Sequence, residues 1–193
     1  MEYNFILQLY SLPQSVFTLK ELILMFPQIS PPLLRKRAHY YVKTGKLVRP
    51  RSGIYVKPQF NSLELANKIY SPSYISFETV LQEEGLIFQP YDTIYLAAYL
   101  SRQITISGQS FHYRKLKSEI LISHQGINFE HHYFIASKER AFLDSVLLYK
   151  NYHFDNLNPL DWTQVNQLLK IYANKALTKR INQYHEEFKA NAK

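Results

Sequence analysis

The chain has 193 residues, 46% of them apolar, enough to bury a core in one large domain or two small ones. It has no cysteine, which excludes disulfide frameworks and thiolate metal sites. The formal charge of +8 is unevenly spread: residues 1–60 carry nine Lys/Arg against two Asp/Glu, a net +7, and residues 61–193 carry fourteen against thirteen, a net +1. Met1 to Tyr10 lacks the basic leader and apolar core of a signal peptide, and no apolar run approaches a membrane span. The expectation is a soluble cytoplasmic protein that makes no membrane contact.

Asn4 to Tyr10 places Phe5, Ile6, Leu9 and Tyr10 at helical spacing, and Pro13 ends that helix. Thr18-Leu19-Lys20-Glu21 is written as a capping box, with Phe17 and Leu22 at hydrophobic-staple spacing around it. Leu19, Leu22, Ile23 and Phe26 share the buried face of the helix it opens, and Pro27 stops it. Ser30 and Pro31 start the next helix, which runs to about Thr44, with Gly45 supplying the left-handed residue beyond it. Leu34, Ala38, Tyr41 and Val42 form its packing face; Arg35, Lys36, His39, Tyr40 and Lys43 share the opposite one. Lys46 to Lys57 then reads as two short β-rich runs joined by a Pro/Ser/Gly turn, a basic hairpin closed by Pro58. Helix, turn, cationic helix and basic hairpin, over residues 1–58, have the order of a winged helix-turn-helix. In that module the second helix enters the major groove and the wing straddles the phosphate backbone.

A second domain is expected over residues 59–193. Asn61-Ser62-Leu63-Glu64 is a further capping box, with Phe60 and Leu65 as its staple and a helix to about Tyr70. After Ser71-Pro72-Ser73, a helix is expected over Ser73–Glu84, with Phe77, Val80 and Leu81 as its stripe and Gly85 as its stop. The period then changes to alternation. Thr93–Ala97, Arg102–Ile106, Ser110–Lys115 and Ile127–Ala136 are β-rich, and Ser107-Gly108-Gln109 has turn chemistry. These runs predict an antiparallel sheet. Ser137-Lys138-Glu139-Arg140 opens another helix, with Phe142, Leu143, Val146, Leu147 and Tyr149 buried; Asp161–Tyr172 and Asn174 to about Lys189 supply two more. The fold class is α+β: a winged helix-turn-helix followed by a mixed α/β domain with C-terminal helices.

Three features in this order carry a resemblance: the basic winged helix, Tyr74-Ile75-Ser76-Phe77-Glu78-Thr79-Val80-Leu81 ending in Gly85-Leu86-Ile87, and Ala136-Ser137-Lys138-Glu139-Arg140-Ala141-Phe142-Leu143-Asp144 after a β-rich middle. From Thr18 to about Tyr149 the chain resembles the AbiEi antitoxins, predicted transcriptional regulators of phage-defence loci. The resemblance implies a type IV toxin-antitoxin system. In it, the winged helix represses its own operon by binding inverted repeats in the promoter, and the C-terminal domain counteracts a nucleotidyltransferase-type toxin without necessarily forming a stable complex.

Carried onto this sequence, the resemblance puts DNA reading on Arg35, Lys36, Arg37, His39, Tyr40 and Lys43. Arg35 and Arg37 have the fork that suits guanine O6/N7. Arg49 and Arg51 fall on the wing, reaching a phosphate or an adjacent minor groove, and Lys46 and Lys57 offer phosphate contacts of low specificity. Arg37 alternatively lies along the edge of the buried face, and Tyr40 alternatively packs. Arg140 and Asp144, four apart on a helix, either pair or join Glu139 in a polar surface; pairing is the favoured reading. Ser76, Glu78 and Thr79 read as helix-start chemistry.

No catalysis and no cofactor are expected. His112, His124, His131 and His132 lie in the β-rich region, but His131 and His132 would point to opposite faces of a strand, so no metal site is expected. There is no phosphate-cradling glycine loop, no clustered carboxylates for Mg²⁺ and no nucleophile elbow. Two readings from other classes stand beside the repressor: a protein-interaction module that meets or competes with a toxin, and a solitary transcriptional regulator.

Overall fold

A computed structural model of the chain describes residues 5–191. Asn4, expected to open the first helix, lies outside them. The chain divides into two compact units, one ending at Ile69 and the other beginning at Tyr70. Both mix helix and strand, so the molecule is α+β.

In the first unit α1 (Phe5–Ser11) buries Phe5, Ile6 and Leu9. After β1 (Val16–Thr18), the capping box of α2 (Leu19–Met25) is complete: the Glu21 amide donates to Thr18 Oγ1 at 3.2 Å, and the Thr18 amide donates to Glu21 Oε2 at 2.7 Å. α3 (Pro31–Lys43) starts without a side-chain cap bond from Ser30. Pro31 and Pro32 occupy its first turn, where the missing amide hydrogens leave nothing unsatisfied. Gly45, at φ +71°, takes the left-handed position after it. β2 (Val48–Arg51) and β3 (Ile54–Val56) form the expected hairpin, turning at Gly53, which has φ +78°. The three strands pair antiparallel in the order β1-β3-β2, which leaves β2 at an edge. Phe5, Leu9, Phe17, Leu22, Phe26, Leu34, Ala38, Leu47 and Tyr55 make one core beneath them.

This unit extends past Pro58 because α4 (Ser62–Ile69) is fastened to β1. Asn61 Oδ1 accepts from the Leu63 amide at 2.8 Å, the expected cap. Glu64 does not reach back to its own helix start. Its carboxylate accepts instead from the Ser15 amide (2.8 Å), the Ser15 hydroxyl (2.7 Å) and the Val16 amide (3.1 Å), at 1% exposure. Lys68 Nζ completes the joint, donating to the Val16 carbonyl at 2.6 Å and pairing with Glu21 at 3.0 Å and Glu64 at 3.4 Å. Glu64→Ala strands these donors in the interior. It is expected to destabilise the unit by about 2–4 kcal/mol in urea unfolding followed by circular dichroism, and a loss under about 0.5 kcal/mol would contradict that role.

The second unit departs from expectation at its start. Ser73–Ile75 is a strand, β4, and only Glu78–Glu83 is helical, as α5. Tyr74 and Ile75 favour extended backbone, and the chain reverses at Phe77, whose φ of +56° is rare for a residue with a side chain. Complete burial of the Phe77 ring opposes a strain of about 1–3 kcal/mol. β5 (Ile94–Ala98), β6 (Arg102–Ile106) and β7 (Gln109–Lys115) fall close to their predicted runs, with Ser107-Gly108 as the β6–β7 turn. Ser118–Leu121 is a short helix, α6, that the sequence did not announce.

The expected strand Ile127–Ala136 is instead a hairpin, β8 (Ile127–Glu130) and β9 (Tyr133–Ala136). His131 and His132 form its turn, both with positive φ. The sheet runs β6-β7-β5-β4-β9-β8 and is mixed, not antiparallel: β5 pairs parallel with β7, and β4 with β9. The polar β6 takes the edge, so β7, carrying buried Phe111 and Tyr113, returns between β6 and β5 and points along β5.

α7 (Lys138–Leu148) is capped by Ser137, whose Oγ accepts from the Arg140 amide at 3.2 Å. Phe142, Leu143 and Val146 are buried as expected, whereas Leu147 is half-buried and Tyr149, past the helix end, is exposed. α8 (Trp162–Leu169), a 3₁₀ turn over Lys170–Tyr172, and α9 (Lys175–Asn191) match the two predicted C-terminal helices. α7 packs against α5, α8 and α9. Among the described residues no helix is long and apolar enough to cross a membrane.

Candidate nucleic-acid interface

α3 is held in the first unit by Leu34 and Ala38, both fully buried, and this fixes what its other side presents. Arg35, Lys36, His39, Tyr40 and Lys43 are all exposed and, at about 100° per residue, fall within roughly 140° of the helix circumference. Arg37 is half-buried at the border of the packing face. Tyr40 is 60% exposed, its ring set edge-on to Tyr41 at 5.3 Å, and Tyr41 stacks on Phe5 at 5.8 Å. Of the two readings for Tyr40, its ring faces solvent and is buttressed from behind.

The hairpin is tied to this helix by backbone bonds. The amides of Lys46 and Leu47 both donate to the Tyr41 carbonyl, at 2.9 and 3.0 Å, and the Tyr10 hydroxyl donates to the Lys46 carbonyl at 2.7 Å. The Leu19 amide holds the far end of the hairpin through the Gly53 carbonyl at 2.8 Å. Lys46, Arg49 and Arg51 are exposed on or beside β2. Arg49 Nη2 donates to Ser52 Oγ at 3.0 Å, and Lys46 Nζ lies 5.9 Å over the Tyr41 ring.

Lys57 does not join these residues. Its ammonium donates to the Leu12 carbonyl at 2.6 Å and lies 5.9 Å over the Tyr10 ring, so it caps the chain leaving α1. Burial pulls its pKa below the ordinary lysine value, against the opposing pull of Glu64.

The two acids of this unit among the described residues are turned elsewhere. Glu21 and Glu64 both converge on Lys68, and among the described residues Arg35, Lys36, Arg37, Lys43 and Lys46 have no carboxylate partner. A cationic surface without internal neutralisation carries a counterion atmosphere that a polyanion can displace, which is the electrostatic requirement for binding nucleic acid.

The polar residues of the second unit behave differently. Arg140 and Asp144, both with no exposure, pair at 3.5 Å. Arg140 also donates to the carbonyls of Ile120 (2.7 Å) and Gln125 (2.9 Å), while Asp144 accepts from the hydroxyls of Tyr172 (2.7 Å), Tyr74 and Ser76 (both 2.9 Å). Glu139 is buried too, accepting from the Asp161 amide at 3.3 Å. The Ala136–Asp144 motif is therefore internal scaffolding, not a polar surface.

Ser76, Glu78 and Thr79 do not serve the start of α5. They reach Asp144, Arg114 and the Tyr95 amide respectively, with Glu78 and Arg114 bonded twice, at 2.6 and 3.0 Å. The Arg114 guanidinium lies over the rings of Tyr95 (4.4 Å), Phe77 (4.9 Å) and Tyr149 (5.0 Å). Sequence reasoning did not single out Arg114, Tyr74 or Tyr172. Arg114 had one signal, its position on the face of β7 opposite buried Phe111 and Tyr113. Among the described residues, no three His, Asp or Glu gather at metal-binding distance.

No family model matches the chain, and no curated protein matches it.

Proposed function

We propose that the protein is a DNA-binding repressor and antitoxin of the AbiEi kind, with a winged helix in its first unit and its antitoxic activity in its second. Support for the winged helix comes from the element order α1-β1-α2-α3-β2-β3 and the strand order β1-β3-β2; in this reading α3 is the recognition helix and the β2–β3 hairpin the wing. The observation that carries the reading is the set of exposed cations on and just after α3, Arg35, Lys36, Lys43 and Lys46, that have no carboxylate partner among the described residues. Arg35 reads a base edge; Lys36, Lys43 and Lys46 neutralise phosphates; Arg49 and Arg51 hold the flanking backbone.

Two copies on an inverted repeat would match the half-site logic of such modules and multiply a modest single-site affinity. The second unit, with its rigid buried ion pairs, acts without catalysis against a nucleotidyltransferase-type toxin. Repression in this scheme is promoter occupancy, and the protein works in the cytoplasm.

The test is binding of the full chain to a labelled duplex from upstream of its own gene and to a scrambled duplex, beside an Arg35→Ala, Arg49→Ala double variant. Tight binding to the upstream duplex alone, weakened at least tenfold in the variant, is the expected result. Equal, salt-sensitive binding to both duplexes would reduce the surface to a nonspecific patch and move the function to a protein partner.

A further inference from the structure

The second unit contains a cleft of about 660 Å³ between the Lys150–Asn158 segment and one face of α9, within the range that encloses a small-molecule ligand. Its least exposed walls are fixed. Phe154 is buried at 8% exposure, and the Tyr184 hydroxyl donates to the Tyr152 carbonyl at 2.5 Å, setting the Tyr184 ring edge-on to Phe154 at 5.4 Å. Arg180 is half-buried and oriented by one bond, from Nη2 to the Val146 carbonyl at 2.9 Å, while its Nε is buried with no hydrogen-bond partner. Lys150, exposed, adds a second cation to the lining.

Of the two acids lining the cleft, Asp155 is already engaged, accepting from the Phe88 amide at 2.7 Å and lying 3.6 Å from His153. Glu187 is exposed and stays available. Amides complete the lining, among them Asn151 and Gln183.

Each group matches one part of a single class of ligand. Two cations suit a phosphate, and a free carboxylate suits a vicinal diol, accepting both hydroxyls. Aromatic walls suit a planar heterocycle, and side-chain amides carry the paired donor and acceptor that a base edge presents. We propose that this cleft is a binding site for a free ribonucleoside phosphate, with Arg180 and Lys150 on the phosphate, Glu187 on the ribose hydroxyls and the Tyr152–Phe154–Tyr184 wall against the base. The site belongs wholly to the second unit and would give a DNA-binding protein a small-molecule input.

Isothermal titration of the full chain with ATP, GTP, CTP and UTP tests it, with inorganic phosphate, the matching 2′-deoxynucleotide and a short single-stranded RNA as further titrants. At least one ribonucleotide is expected to bind saturably at one per chain. Lys150→Gln, at an exposed position, should weaken that binding about tenfold, and Glu187→Gln should erase the preference for ribose over deoxyribose. Arg180→Gln should weaken it further; a thermal melt checks that the variant is folded, and the Lys150 and Glu187 variants decide the matter if it is not. Lack of saturable binding by every ribonucleotide at millimolar concentration overturns the proposal. So does equal binding by inorganic phosphate alone, binding only by RNA, or nucleotide affinity that survives Lys150→Gln and Glu187→Gln unchanged.

Discussion

Arg140→Met is expected to lower the stability of the second unit by about 3–5 kcal/mol, the largest loss from any single side chain considered. The substitution keeps much of the volume and removes the charge. It leaves the Asp144 carboxylate buried without its cation and the carbonyls of Ile120 and Gln125 without their donor. Burial pushes the Asp144 pKa above the ordinary carboxylate value, and the Arg140 charge pulls it back; without Arg140 it rises further. The folded state then holds this proton more tightly than the unfolded state does. Through this group, stability falls as pH rises through the folded pKa, so the deficit of the variant should be greatest at neutral pH and shrink on acidification.

Urea unfolding, followed by the fluorescence of the single tryptophan, Trp162, reads the loss within this unit. The double variant Arg140→Met, Asp144→Leu removes both charges and should lose much less than the sum of the singles, with a coupling of about 2 kcal/mol or more. Additive losses, or a single-variant loss under about 1 kcal/mol, would remove the pair from the centre of the unit.

The local grammar of the chain was legible where one residue decides one geometry. Thr18 and Glu21 sit on each other's amides, Pro31 starts α3, and Gly45 and Gly53 take the left-handed positions that their turns require. Legibility ended where a polar residue had two possible destinations. Glu64 has the spacing of a capping box, yet three donors around Ser15 and Val16 outbid its own helix, and no local pattern reports a partner that far along the chain.

The stretch Ser73–Ile75 failed for a different reason. Its apolar positions fit a helix continuing through Val80 and Leu81, and the pairing of Tyr74 with Ala97 and of Ile75 with Ile135 settles it as a strand, in line with the extended preference of both residues. β-rich composition on both sides of His131 and His132 predicts one continuous strand, whereas their positive φ makes them the turn of a hairpin. The candidate interface was the more legible part, since a helix with one buried stripe leaves its opposite side exposed by geometry alone.

Lys57 and the α3 lysines look alike in composition, and the salt dependence of DNA binding should separate them. Each phosphate contact contributes about 0.9 to the slope of log affinity against log salt for duplex DNA, because each releases condensed counterions. Lys36→Gln with Lys43→Gln removes two exposed cations with no carboxylate partner among the described residues and should flatten that slope by about 1.8 while leaving sequence preference in place. Adding Arg35→Gln should flatten it little more if Arg35 faces a base, but cost a further ~1–3 kcal/mol against the upstream duplex and blunt discrimination from the scrambled one. Lys57→Gln loses a bond to the Leu12 carbonyl and no phosphate, so its slope should match the parent protein even where its melting temperature falls. A slope that flattens equally for Lys57→Gln and for each α3 lysine would mean that charge alone, and not its placement on α3 and the hairpin, governs binding. The recognition-helix assignment would then be withdrawn.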